Sequence, residues 1–338
     1  MTKVGWRGAL GFVLSAVLLW FTLRGVAFAD VWAELRQSNL ALFVASAVTA
    51  TMIFPLRARR WRTILDPVAP GLPFGSLWRS TAIGMMVNNV IPARAGEIAR
   101  AFALTRETQR VGFTAAVASL AIDRLFDAIV LLALLVAAMF APAFPGDTRI
   151  GGLAVTRYAT VFSVGVLALL AVFYAIAIAP HRLVSLYVAV AGRIAPRFVD
   201  RGSAMLHSFA AGLGVLRSPS RFAAVLGWTL AHWLLNGFAF WLGFRAVGID
   251  APFSAALFLQ GLIAIGVALP SAPGFFGIFE SFATAGLAVY GVPQTQAVSW
   301  ALGFHILSFI PITVIGAFYF ARLGMHFREL RTAAAESQ

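Results

Sequence analysis

Cysteine is absent from the 338 residues, which excludes disulfides, thiolate metal sites and thiol nucleophiles and leaves the redox compartment unmarked. Lysine is nearly absent too: of the 26 basic residues all but Lys3 are arginine. Charge as a whole is scarce, at 12%, against 60% hydrophobic residues and a mean hydropathy of +0.87. That composition excludes a soluble globule. The formal charge of +13 does not mark a nucleic-acid binder, because the arginines are scattered between apolar runs and form no aromatic-laced patch. Also missing are a glycine-rich phosphate loop, an H-E-x-x-H helix, a Ser-His-Asp order and a carboxylate ligand cluster. No conventional enzyme site, cofactor or metal is therefore expected.

What is present is a series of apolar runs. About 20 apolar residues cross the hydrocarbon core, and runs of that length lie near 8–28, 39–56, 111–141, 153–179, 222–246 and 293–320. The first, preceded by Lys3 and Arg7 and followed by Ala27-Phe28-Ala29, imitates a cleavable signal. Arg24 interrupts that pattern and the chain returns to the membrane from Leu40 onward, so it reads as a first span. Two further segments, 74–106 and 253–290, are interrupted midway, at Asn88 to Glu97 and at Leu269 to Glu280. Interior prolines remove backbone donors and glycines weaken a helix. At membrane depth irregular backbone survives only where protein or a cavity covers it. Both segments are therefore expected to be broken or re-entrant helices.

Sidedness follows from the arginines. With these spans and the N-terminus inside, 19 of the 26 basic residues fall on the inner face, including Arg57, Arg60, Arg100, Arg106 and Arg110. The outer exceptions are Arg24, Arg36, Arg149, Arg157 and Arg245, and Arg94 and Arg124 lie within the membrane. The connection from His181 to Arg221 is expected to hold interfacial helices. Span, span, broken segment, span occurs twice, with halves of about 1–150 and 151–321. Three crossings per half turn the second half upside down, as in many secondary transporters. The fold class expected is thus an all-α polytopic membrane protein: six full spans plus two broken segments in two inverted halves, one domain over 1–321, and a short cytoplasmic tail at 322–338.

Few residues carry chemistry. Arg94, Glu97 and Arg100 recur every three positions and can share a stripe and pair with one another. A charged side chain at the bilayer centre costs about 2.5–3.5 kcal/mol on insertion scales, so each must be paired, hydrated or binding something. Asp123 and Asp127 share a face of the third full span, with Arg124 able to reach Asp127. That set is either a proton or counter-ion site or an internal tie. Glu280 follows Pro273, Gly274 and Gly277 in a segment without a basic residue, so its partner must come from elsewhere, with Arg94 or Arg124 the available cations. His232 and His305 read as core histidines beside Trp233 and Phe304. Asn88, Asn89 and Asn236 read as bridges over broken backbone, and Trp6, Trp32, Trp61 and Trp78 as an aromatic belt.

Three blocks, Pro92 to Arg100, Asp123 to Asp127 and Pro270 to Glu280, together resemble the flippase-like lysylphosphatidylglycerol synthase transmembrane-region family over nearly the whole chain. The resemblance implies movement of a lipid between leaflets. In the multiple peptide resistance factors that lipid is made by an attached aminoacyltransferase domain, which is not expected here, so the synthase activity is not carried over.

The expectation is a bacterial inner-membrane protein, both termini cytoplasmic, that moves an anionic or phosphate-bearing lipid: a phospholipid derivative or a polyprenyl-phosphate sugar. Arg94, Glu97, Arg100, Asp123, Arg124, Asp127, Pro273, Gly274, Gly277 and Glu280 would line its path, with two half-helix N-termini and Arg94 facing the phosphate. The expected partners are membrane lipids and a lipid-modifying enzyme encoded nearby, not nucleic acid. The alternatives are a membrane-embedded glycosyl or acyl transferase using Asp123 and Asp127, and a non-transporting accessory subunit.

Overall fold

The computed structural model describes residues 6–91, 95–145, 149–150, 153–154, 180–194, 218–326 and 329, with isolated positions between them. The regular elements among the described residues are helices, apart from an antiparallel pair of two-residue strands, β1 (Arg149–Ile150) and β2 (Leu153–Ala154). The helices are α1 (Trp6–Leu23), α2 (Phe28–Gln37), α3 (Leu40–Leu65), α4 (Phe74–Val90), α5 (Gly96–Thr108), α6 (Phe113–Met139), α7 (Pro180–Ile194), α8 (Pro219–Ala246), α9 (Phe253–Val267), α10 (Ile278–Val289) and α11 (Gln294–Arg322), with a 3-10 turn at Pro273–Phe275.

Among the described residues three helices, α3, α8 and α11, are long and apolar enough to cross a membrane, and a fourth span results if α1 and α2, bent by 77°, count as one. The count of six is thus not reproduced. α6 has the length, 27 residues, but carries Asp123, Arg124 and Asp127 in its middle. The expected span at 153–179 lies largely outside the described residues. α1 stops at Leu23, five residues short of expectation, where Gly25 takes a left-handed φ of +81° that a helix does not continue through. In the 181–221 connection, α7 is a helix with exposed Val188, Val190 and Ile194.

Helix starts follow their sequence signals. The Asn39 side chain accepts from the Leu42 N–H at 3.1 Å and begins α3, and Ser218 with Pro219 begins α8. Pro73, Pro252 and Pro293 stand just before α4, α9 and α11. Pro55 and Pro311 sit inside helices, as spanning helices tolerate when neighbours re-satisfy the freed backbone. The outward faces keep large apolar side chains exposed, among them Val13, Phe21, Val48, Met52, Val314 and Phe318.

Both broken segments are antiparallel helical hairpins. In the first, α4 packs on α5 so closely that a Cβ on Gly96 would lie 2.1 Å from the Gly84 carbonyl oxygen. In the second, α9 packs on α10 with Gly266 against Phe282 and Gly286 against Leu259 and Leu262. At about 1.5 Å per residue, helices of 17, 13, 15 and 12 residues fall short of a membrane's ~30 Å.

The hairpins enter from opposite ends of the bundle. Near one end, Asn39 N–H donates to the Ala246 carbonyl (2.8 Å), Gln294 Nε2 to the Thr22 carbonyl (2.9 Å) and Gln296 Nε2 to the Val247 carbonyl (2.9 Å). Near the other, Arg106 pairs with Glu329 (2.7 Å) and Arg110 reaches the Pro70 carbonyl (3.3 Å). The first hairpin opens at this second, arginine-rich end and the second hairpin at the first. The 3-10 turn of the second packs against α4 of the first. An aromatic core of Phe240, Phe244, Phe279, Trp300 and Phe304 supports the second hairpin.

Candidate functional site

The charged residues collect where α3, α5, α6 and α8 meet beside the first hairpin. α3 does not end near residue 56 but runs to Leu65, so Arg57 and Arg60, expected in an inner loop, lie on its buried face. Spacings of three and four bring Arg57, Arg60 and Trp61 to one side of α3, and Asp123 and Asp127 to one side of α6. Arg60, fully buried, places Nε 2.7 Å from Asp123 Oδ1 and Nη1 2.6 Å from Asp127 Oδ1. Arg100, its guanidinium 4.1 Å above the Trp61 ring, donates to Asp123 Oδ2 at 3.2 Å. Trp233 Nε1 donates to Asp127 Oδ1 at 2.9 Å. Trp61 is therefore no belt residue; it is buried and donates to Ser119 Oγ at 2.8 Å.

Arg124 pairs with Glu97 and stands 3.8 Å from Asp127. The expected pairing within the α5 stripe is thus replaced: Glu97 binds across to α6 and Arg100 to Asp123, because a facing helix offers the opposite charge at shorter reach than the same stripe does. Arg94, together with Pro92 and Ala93, lies outside the described residues. The net negative charge expected from Asp123, Arg124 and Asp127 is also reversed by long-range partners. Four guanidinium groups, Arg57, Arg60, Arg100 and Arg124, face three carboxylates, Glu97, Asp123 and Asp127. The least committed is Arg57, whose ion pair is Asp127 Oδ2 at 3.9 Å and whose other contact is Met85 Sδ at 3.8 Å.

Arg57, Glu97, Arg100 and Arg124 border a narrow cleft of about 10 Å³, room for about one water, together with Thr81, Gly84, Met85, Asn88 and Gly96. The first N–H of α5, that of Gly96, donates to Asn88 Oδ1 at 2.8 Å. Asn88 thus bridges broken backbone, as expected. Asn89 donates to Thr313 Oγ1 and Asn236 to Gln260 Oε1. His232 is buried 3.8 Å from Asp127.

Glu280 does not meet an arginine among the described residues. It is fully buried, its Oε2 accepts from Gly277 N–H at 2.6 Å, and its Oε1 lies 2.6 Å from His305 Nδ1. The carboxylate thus caps its own helix, and the N-terminus of α10 already has its anion. His305, read as packing, is also polar in its contacts: Nε2 donates to the Gly274 carbonyl at 2.8 Å, while the ring stacks on Phe276. Gly274 (φ +66°) and Gly277 (φ +86°) hold left-handed conformations that make this turn possible, and Pro273 starts the 3-10 turn.

The sequence reading missed Arg57, Arg60 and His305. The available signal was the repeat of arginines at 57 and 60 continuing the helical face of α3, which a span ending at 56 concealed.

The model of the family described as the lysylphosphatidylglycerol synthase TM region matches residues 8–316. The protein named "Glycosyltransferase AglD" from Haloferax volcanii is 25% identical over 314 residues, covering 86% of this chain and 50% of that protein. A "UPF0104 membrane protein" from Methanothermobacter thermautotrophicus is 32% identical over 110 residues, 32% of this chain and 33% of that protein. The chain therefore spans half the length of the first and its match a third of the second.

Proposed function

Because the chain belongs to the lysylphosphatidylglycerol synthase TM region family, a family of membrane regions, we propose that it translocates a lipid whose headgroup is anionic or phosphate-bearing. The observation that carries this reading is the arginine surplus at the cleft beside the first hairpin. A buried cation without a full partner is costly. A phosphate relieves that cost and matches the forked donors of guanidinium. Arg57 is the headgroup residue, Arg124 joins it when Glu97 lets go, and Arg94, between the two helices in sequence, is a further candidate cation. Arg60, Asp123 and Arg100 hold the wall. The two half-helix N-termini have no part in this reading, since Asn88 and Glu280 occupy their first N–H groups. Phospholipid derivatives and polyprenyl-phosphate sugars offer the same phosphate, and the printed name of the Haloferax relative favours the sugar-bearing class.

A second reading, a role in sugar transfer, draws on that same name. Against it, Asp123 and Asp127 both face Arg60 at under 3 Å, which commits both carboxylates to one guanidinium and leaves them poorly placed as an acid–base pair. Purified protein reconstituted in liposomes with fluorescent phosphatidylglycerol, phosphatidylcholine and polyprenyl-phosphate-sugar analogues separates the two. Faster quencher access to one of the anionic probes than to phosphatidylcholine, lost in Arg57→Ala, supports translocation. Equal rates for all probes, or an unchanged rate in Arg57→Ala, overturns it, and a new glycosylated product supports transfer.

The topology belongs to the same proposal: six full spans in two inverted halves, with the arginine-rich end and both termini in the cytoplasm of a bacterial inner membrane. In this cysteine-free chain an impermeant reagent should label Asp250→Cys in intact cells and leave Arg110→Cys unlabelled. The opposite pattern overturns the orientation.

A further inference from the structure

Three hydrogen bonds at the tip of the second hairpin cannot all exist unless a proton is added. Glu280 Oε2 accepts from Gly277 N–H, and the Gly274 carbonyl can only accept, so His305 Nε2 must carry a hydrogen. The remaining contact, His305 Nδ1 to Glu280 Oε1 at 2.6 Å, then lies between an imidazole lone pair and a carboxylate lone pair. It is repulsive as it stands and becomes a hydrogen bond when one proton sits on Nδ1 or on Oε1.

We propose that Glu280 and His305 form a proton-binding site, and that its proton latches the second hairpin to α11. The pair bridges two elements: Glu280 belongs to α10, Gly274 to the 3-10 turn, and His305 to α11. When the proton leaves for water, Glu280 keeps its negative charge, His305 becomes neutral with its hydrogen on Nε2, and the Nδ1 to Oε1 bond is lost. The Oε1 end of a buried carboxylate then faces a lone pair and the aromatic stack, with Oε2 alone still held by the Gly277 N–H, and the hairpin tip is released from α11.

Among the described residues no other charged side chain pairs with Glu280 or His305. α9 has none. On α1 the titratable side chain is Arg7, in the first turn. On α11 the others are Tyr319 and Arg322, in its last turn, and on α4 it is Arg79, which pairs with Glu107; the other elements packed on α11 carry Asp30, Glu34 and Arg36 on α2, Arg57, Arg59, Arg60 and Arg62 on α3, and Arg221, His232 and Arg245 on α8. α1 contributes hydroxyls: Ser15 accepts from Ala272 N–H and Thr22 meets Ser281. The latch does not depend on the transport reading, because it follows from the donors and acceptors alone.

Nitroxide labels at Leu269→Cys, beside the turn, and Ile310→Cys, on the outer face of α11, report the distance between them in the purified full chain by pulsed electron resonance. From acid to alkaline pH the distribution should change from one narrow distance to a longer or broader one. Glu280→Gln is the decisive variant. Its amide donates to Nδ1 and its carbonyl accepts from Gly277, so it reproduces the protonated pair without a removable proton and should keep the narrow distance at every pH. His305→Phe should give the alkaline distribution throughout; if that variant does not fold, Glu280→Gln still decides. A wild-type distance that is constant from pH 5 to 10, or a Glu280→Gln protein that follows the wild-type pH response, overturns the proposal. Neither readout involves lipid movement, so its failure is separate from failure of the translocase reading.

Discussion

The two hairpins use one backbone device and opposite chemistry. Each is a pair of short helices broken near a proline, packed through glycine and entering from its own end of the bundle. Around the first gather four arginines and three acids from α3, α5 and α6. Around the second stand one acid and one histidine among phenylalanines. The first is held by charge and has cation to spare; the second is held by one shared proton. A broken helix in a membrane therefore does not specify its own chemistry: that comes from the full-length helices placed behind it.

The strongest way to break this comparison is to remove the arginine behind the first hairpin. Arg60→Ala removes the closest cation from two buried carboxylates, Asp123 and Asp127, and should cost about 3–5 kcal/mol, read as a large fall in melting temperature or as loss of folded protein. Its counterpart, His305→Phe, removes one hydrogen bond from the Glu280 carboxylate and one from the Gly274 carbonyl and should cost about 1–3 kcal/mol. Equal losses would mean that the two tips are held alike. Next comes packing. Gly96→Ala drives a methyl against the Gly84 carbonyl, whereas in Gly286→Ala the nearest atom is Leu259 Cδ1 at 2.4 Å, the end of a side chain that can turn. The first should lose about 1–3 kcal/mol and the second less, as measured by thermal unfolding.

Arg57→Ala sharpens the distinction between wall and ligand residue. Its ion pair is long, so stability should fall by no more than about 1 kcal/mol, while headgroup binding falls about tenfold or more. Arg57→Lys should retain part of that binding, because the charge remains without the fork. The smallest effect belongs outside both hairpins. Arg245 pairs with Asp250 at 2.6 Å, but the Asp250 side chain is 87% exposed, and Arg245→Ala should change the melting temperature by an amount equivalent to less than ~1 kcal/mol.

Much of the architecture was legible from the order of residues alone. Apolar runs marked α3, α8 and α11; proline and glycine at 92 and 96 and at 270 and 274 marked both hairpins; the arginine distribution separated the two ends. These signals are local, or sums over local signals: a proline removes a donor wherever it stands, and a run of twenty apolar residues is long enough whatever it touches. The scarcity of charge also announced that Glu97, Asp123, Asp127 and Glu280 must be answered by something. What answers them was decided by tertiary structure, because pairing depends on which helices cross and at what height. Arg60 reaches Asp123 and Asp127 across more than sixty positions of chain, Glu97 prefers Arg124 on the next helix to Arg100 on its own, and Glu280 finds His305, a residue whose spacing signalled only packing. A charge in a low-dielectric bundle takes the nearest compatible group in space, and distance along the chain carries no information about that.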